Sequence, residues 1–362
     1  KDAPRWSLPT VWTYFPPNHD KVIFVFHGGL GGSVANLMAN VEMSRFVDAA
    51  AARGYGIVAL DSYNRSQELQ DTWDGNLSAA DNIDMQRVVA LRNELIGKGA
   101  MRASDPIYLF GVSGGGVFAS QFDQFAQQDL GFQVKATALM VSPGNSQVLL
   151  SSTVPTIFLL AENDTSVAGI NDLAVENSNF LISRNVPTQL WVNPPSPVYP
   201  ERFWRINHLS RADSKTIYNA IKSGGYLDDK GFLLSNPKNS NWQTVIPSQY
   251  SSYISAISEQ LQVAYAEHVA NSAFSEKILD FFANPETTIP PVPPVISDFT
   301  PASGTAGTTV NINGSGFINV TKVKFNGIEA TFQQISTTKL VAVVPQGASS
   351  GSIQVSSSAG TA

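Results

Sequence analysis

Six apolar runs recur along residues 21–193: "KVIFVFH" (21–27), "GIVALDS" (56–62), "PIYLFGVS" (106–113), "VKATALMVS" (134–142), "VPTIFLLAEND" (154–164) and "TQLWVN" (188–193). Between them lie stretches with apolar residues at helical spacing, over 40–53, 82–99, 115–128 and 167–184. Gly54, Gly97 and Gly99 supply helix stops. Continuous apolar strands separated by helices indicate a parallel sheet covered on both faces. The expected class is therefore α/β, with a doubly wound, mostly parallel sheet.

A composition break interrupts this pattern. Residues 285–294 read "PETTIPPVPP", and five of these ten are proline. Such a segment is a stiff extended spacer rather than a loop inside a compact domain. It divides the chain into a domain over 1–284, a linker over 285–293 and a second domain over 294–362. Beyond it the runs are short and alternating, as in "TVNINGSGF", "KLVAVVP" and "GSIQVSS", with Gly, Asn and Pro turns between them. That pattern predicts a small antiparallel β-sandwich.

Composition excludes several functions. The chain has no cysteine, so disulfides, thiolate catalysis and Cys-ligated metal are ruled out. Its four histidines are far apart and no metal-ligand cluster is visible. Net charge is −6 and there is no basic run, which argues against nucleic acid and anionic membrane as partners. No stretch reaches the roughly 18 apolar residues of a membrane helix. Lys1-Asp2-Ala3-Pro4 lacks the apolar region of a signal peptide. Charged residues are only 14%, well under the roughly 25% of average soluble proteins. With the absence of cysteine, this favours a bacterial protein that is secreted or held at the cell surface.

Residues 106–118, "PIYLFGVSGGGVF", place G-x-S-x-G between a buried strand and a helix. A serine on so sharp a turn takes strained backbone angles, and small residues two positions either side permit the close approach. Its hydroxyl then stands above the carboxyl edge of the sheet. The N–H groups of the following helix face any oxyanion that develops there. A glycine-rich turn with an incidental serine is the plain alternative.

With "HGGLGGS", "LLAEND" and a late histidine, this segment resembles the α/β-hydrolase family over residues 10–284. The resemblance implies the chain order Ser, acid, His, with Ser113 as nucleophile. Asp164 fits the position of the acid. Glu162 is the alternative, and Asp61 a more distant one. Two histidines follow. His268 precedes the last helix-like segment, "SEKILDFF", where the family places its base. His208 has the more conventional spacing and is the alternative. The resemblance implies oxyanion donors at Gly114 and Gly29, with Leu30 as the alternative for Gly29. His27 then braces the glycine loop through its side chain.

If His268 is the base, residues 194–262 form a cap-like or lid-like insertion. It carries nine aromatic residues, and Trp204, Tyr226 and Trp242 are expected to bind substrate or to fill the insertion's own core. The implied activity is that of a serine carboxylic ester hydrolase working through an acyl-enzyme, with no cofactor or metal. The same constellation serves polyester (polyhydroxyalkanoate-type) depolymerases and serine peptidases. A surface-binding protein with an inactive hydrolase fold is the non-catalytic alternative. The expected partner is an ester, small or polymeric.

The tail, "PVISDFTPASGTAGTTVNINGSGFINVTKVKFNGIEATF", resembles the IPT/TIG immunoglobulin-like family. The resemblance implies a spacing, attachment or binding module outside the cytoplasm. That family continues to a last strand after "VSSSAGTA".

Overall fold

The computed structural model describes residues 10–29, 32–66, 73–128, 133–166, 168–286, 293–317, 320–336, 338–357 and 360–362. The chain divides into two compact units, over residues 1–287 and 288–362.

The first unit is built on a seven-stranded sheet. Its strands are β1 (Val11–Tyr14), β2 (Lys21–Phe26), β3 (Tyr55–Leu60), β4 (Ile107–Val112), β5 (Val134–Met140), β6 (Thr156–Ala161) and β7 (Thr188–Asn193). Their order is β1-β3-β2-β4-β5-β6-β7. All neighbours are parallel except β1, which pairs antiparallel with β3 at one edge. The six apolar runs are the six parallel strands. In β3, β4 and β6 every residue is buried, so nothing alternates because both faces are covered. β1 lies outside the six runs. It pairs with β3 at the sheet's edge and packs Trp12 against the core, while half of its residues stay exposed.

The helices are α1 (Val34–Ala39), α2 (Val41–Ala52), α3 (Tyr63–Ser66), α4 (Ile83–Gly97), α5 (Gly114–Gln128), α6 (Ser146–Leu149), α7 (Ile170–Ser183), α8 (Arg211–Ser223), α9 (Ile254–Tyr265) and α10 (Ser275–Ala283). Local chemistry fixes several of their starts. The Asn40 and Asn82 side chains accept N–H groups in the first turns of α2 and α4, and Ser210 with Asp213 forms a capping box on α8. Ile278, Leu279, Phe281 and Phe282 of α10 are buried in the core beside the sheet, as the spacing of "SEKILDFF" predicts.

After β7 the chain leaves the sheet and returns through α9. Residues of this insertion form a core of their own around Val198, Phe203, Ile217, Trp242 and Leu261. A buried carboxylate ties it to the sheet unit. Glu42 of α2 accepts from Arg205 (2.8 Å) and Gln260 (2.8 Å) of the insertion, and from the Ser272 backbone N–H (2.9 Å). Burial opposes ionisation of Glu42, but these donors and the Arg205 charge hold its carboxyl below the ordinary value.

The second unit is all β. Its strands are β8 (Val295–Thr300), β9 (Thr309–Ser315), β10 (Val320–Phe325), β11 (Ile328–Ala330), β12 (Phe332–Ser336), β13 (Lys339–Val343), β14 (Ile353–Ser357) and β15 (Gly360–Thr361). They form two four-stranded antiparallel sheets, β11-β10-β14-β15 and β12-β13-β9-β8. Alternate residues such as Val310 and Ile312, or Leu340 and Ala342, face a shared core with Val323 and Val355. Among the described residues, no helix of the chain is long and apolar enough to cross a membrane.

Candidate active site

Ser113 occupies the turn between β4 and α5, with φ +54°, a left-handed conformation that a residue other than glycine adopts only when its surroundings enforce it. Enforcement comes from both sides. The Ser113 N–H donates to the Met140 carbonyl on β5 (2.9 Å), and its own carbonyl accepts from the Gly116 N–H (2.8 Å) in the first turn of α5. Gly115 makes the crossing possible, because a Cβ there would lie 2.2 Å from the Phe26 carbonyl oxygen and 2.4 Å from that of His27.

His268 Nε2 lies 2.7 Å from Ser113 Oγ, and His268 Nδ1 lies 2.6 Å from Asp164 Oδ2. A carboxylate at Nδ1 fixes the proton there and leaves Nε2 to accept from the serine hydroxyl. The Asp164 side chain is fully buried, while that of His268 is 16% exposed. Burial would raise the Asp164 carboxyl, but hydrogen bonds from His268 and Ser166 outweigh it and hold the group below the usual carboxylate range. Ser166 was not anticipated from the sequence. Its Oγ donates to Asp164 Oδ1 (2.6 Å) and lies 2.8 Å from His268 Nδ1. The D-x-S spacing is its one trace in the sequence, and that spacing marks any serine turn.

The loop after β2 closes the other side. A Cβ on Gly114 would lie 3.3 Å from the Gly29 nitrogen, and one on Gly28 would lie 3.3 Å from Ser113 Cβ. The loop at Gly28 and Gly29 therefore lies against Ser113 and Gly114. Leu30 lies outside the described residues. His27 is fully buried and braces this loop. Its Nε2 accepts from the Ser62 N–H (3.0 Å), which leaves Nδ1–H to donate to the Gly28 carbonyl (2.6 Å).

The remaining alternatives lie elsewhere. His208 is exposed, with φ +68°, just ahead of the Ser210 cap. The Glu162 N–H joins the Asn193 carbonyl, and burial raises its carboxyl. Asp61 accepts the Val34 N–H at the start of α1 (2.7 Å).

A cavity of about 720 Å³ opens over Ser113 and His268. Its apolar wall comes from Val112, Val117, Pro143, Ile170 and Leu173, and Lys238 is the insertion residue that reaches it. Of Trp204, Tyr226 and Trp242, expected to bind substrate or to fill the insertion's core, none lines this cavity. Trp242 is fully buried and donates to the Pro237 carbonyl, and Tyr226 packs into the same insertion core. Trp204 is 48% exposed, with the Arg211 guanidinium 4.1 Å from its ring centre. The insertion needs its large side chains for its own core, so α5 and α7 line the cavity with aliphatic ones. Among the described residues, no three His, Asp or Glu side chains gather into a metal site.

The parallel sheet, its single antiparallel edge strand and the strained serine turn together define an α/β-hydrolase fold. Comparison with known proteins adds the second unit, as residues 294–361 match the IPT/TIG domain. No curated protein matches the chain. Among solved structures, a putative phosphatase from Bacteroides thetaiotaomicron is 37% identical over 18% of this chain and 15% of its own, with a TM-score of 0.18. This chain thus spans less than a fifth of that protein. An α/β serine hydrolase without a lid from Xanthomonas campestris is 18% identical, over 51% of this chain and 78% of its own, with a TM-score of 0.35. Carboxyl esterase 2 from the fungus Tuber melanosporum is 14% identical, over 50% and 70%, with a TM-score of 0.37. Likenesses this partial carry no argument about activity.

Proposed function

We propose that the protein is a serine hydrolase of carboxylic esters. The observation that carries this reading is the pair of contacts at His268, 2.7 Å to Ser113 Oγ and 2.6 Å to Asp164 Oδ2. An alcohol is a poor nucleophile until a base takes its proton as the bond forms. Ser113 Oγ attacks the ester carbonyl carbon while His268 Nε2 accepts the hydroxyl proton. Asp164 holds the ring and stabilises the imidazolium. The negative charge on the carbonyl oxygen falls between the Gly29 and Gly114 N–H groups. Collapse expels the alcohol, which takes its proton from His268. Water, deprotonated by the same nitrogen, then releases the acid from Ser113. The aliphatic wall suits an alkyl acyl group. Low charge, absence of cysteine and the IPT/TIG unit support an exported protein.

Hydrolysis of p-nitrophenyl esters from acetate to decanoate tests the reading, with Ser113→Ala as control. Turnover by the wild type that the substitution abolishes is expected. Equal turnover by both would refute it.

A further inference from the structure

Glu267 directly precedes His268, and its carboxylate is 1% exposed. Three segments converge on it. Thr165 Oγ1, next to Asp164, donates to Glu267 Oε1 (3.3 Å). Asn236 Nδ2 of the insertion donates to the same oxygen (3.0 Å). Lys238 Nζ pairs with Oε2 and also borders the cavity over Ser113. Backbone bonds run alongside, from the Asn163 N–H to the Ala266 carbonyl (2.9 Å) and from Asn163 Nδ2 to the Tyr265 carbonyl (2.8 Å). The segment 163–165 that carries the acid is thus fastened to the segment 265–267 that carries the base. One buried charge draws both, and the insertion, together.

We propose that Glu267 is a positioning residue that sets the His268 ring against Asp164 and makes the insertion part of the active site. This rests on the reading of Ser113, His268 and Asp164 as a catalytic set. A buried carboxylate that meets an ammonium and two neutral donors at fixed points resists displacement, because moving it leaves a charge unpaired away from water. His268 is one peptide unit away and inherits that rigidity. Its 2.6 Å contact with Asp164 tolerates little drift.

Glu267→Gln keeps the shape and replaces one carboxylate oxygen with an N–H₂ group that faces donors. With p-nitrophenyl butyrate it is expected to lower kcat by about 10- to 100-fold with KM within about twofold, since geometry and not binding is lost. Thr165→Val, at an exposed position, removes only the link to the acid segment and should lower kcat about threefold with KM unchanged. The downfield proton resonance of the hydrogen-bonded His268 Nδ1–H, assigned by its loss in His268→Ala, should move or broaden in both variants. Wild-type kcat together with an unmoved resonance in Glu267→Gln overturns the proposal. If that variant does not fold, Thr165→Val and Asn236→Ala decide by the same two readouts. The resonance reads the ring geometry whether or not the ester is turned over. An inactive wild type would therefore refute the catalytic reading without masking the outcome for Glu267.

Discussion

His268 Nε2 and Ser113 Oγ stand 2.7 Å apart across 155 residues of sequence. Between them the chain completes three strands of the sheet and builds the whole insertion. The contact is therefore a product of the finished fold. Ser113 is held by the β4–α5 turn, and His268 by a loop fastened to the segment after β6. Under the ester-hydrolase reading, a hydrogen bond between two such fixed groups costs little further ordering when substrate arrives.

Under the ester-hydrolase reading, each member of this chain of contacts has an expected loss. Ser113→Ala and His268→Ala should each lower kcat by more than about 10³-fold, and together by little more than either alone, because they act as one unit. Asp164→Asn should cost about 10³- to 10⁴-fold, since an amide that donates to Nδ1 favours the wrong tautomer. His208→Ala should leave kcat unchanged, as that ring is exposed beyond the cavity. Steady-state rates on one p-nitrophenyl ester check all four. Loss in His208→Ala would contradict the geometry.

The turn itself makes a prediction about stability. Gly115→Ala would drive a methyl group to 2.2 Å from the Phe26 carbonyl oxygen, a backbone atom that cannot swing away. We expect at least about 3 kcal/mol of destabilisation, as for overpacking at its upper end, with activity lost. Gly97→Ala is the control. It stands at the end of α4 with no neighbour within 4 Å, so alanine should be neutral or gain about 0.5–1 kcal/mol from the unfolded state. Denaturant midpoints of the two variants should move in opposite directions or differ several-fold.

Asp123 of α5 is fully buried against Thr137 Oγ1 (2.8 Å), and burial pushes its carboxyl from an ordinary 3.8 up to about 8. Between those values the folded chain holds a proton that the unfolded chain has released. Stability is therefore largest below this window and falls as pH rises through it. Burial also raises Asp84 to about 6 and Glu259 to about 7, which adds the same slope only at lower pH. Asp123→Asn should therefore flatten the fall in Tm between pH 7 and 8 and leave most of the fall between pH 5 and 6. An unchanged slope between pH 7 and 8 would show that Asp123 is not the group responsible.

The parallel strands and most helices were legible because burial on both faces writes itself as uninterrupted apolar runs. β1 was not, since two of its four residues are exposed and its pairing depends on β3 alone. Ser113 was legible because a strained turn demands glycine around it. The fold brings His268, the histidine that precedes α10, to Ser113 and leaves His208 exposed, a matter of packing and not of spacing. The aromatic residues of the insertion left two roles open for a physical reason. A wall and a small core need the same side chains, and only tertiary structure shows that Trp242 is spent on the core. Glu267 left no pattern and Ser166 only the common D-x-S spacing, because a buried carboxylate and a turn serine are ordinary residues until their partners, Thr165 and Asn236 for the one and His268 for the other, arrive from elsewhere in the chain.

Leu173 makes the last prediction. It stands on α7 in the cavity wall, 39% exposed, three residues after the buried Ile170. One helical turn separates these two, so both present to the same side of the cavity. Under the ester-hydrolase reading, this side receives the acyl chain, and its reach sets the length accepted. Leu173→Trp shortens the wall's free span with little cost to folding, because the position is already partly open to solvent. Its preference among p-nitrophenyl esters should move to shorter acyl groups by two or more carbons. At about 0.8 kcal/mol for each CH₂ excluded from the apolar wall, two carbons correspond to roughly a tenfold change in relative kcat/KM. Activity on the acetate should stay within a few-fold, since Ser113 and His268 are untouched. An unchanged acyl profile would place the acyl chain on another wall of the cavity, away from α7.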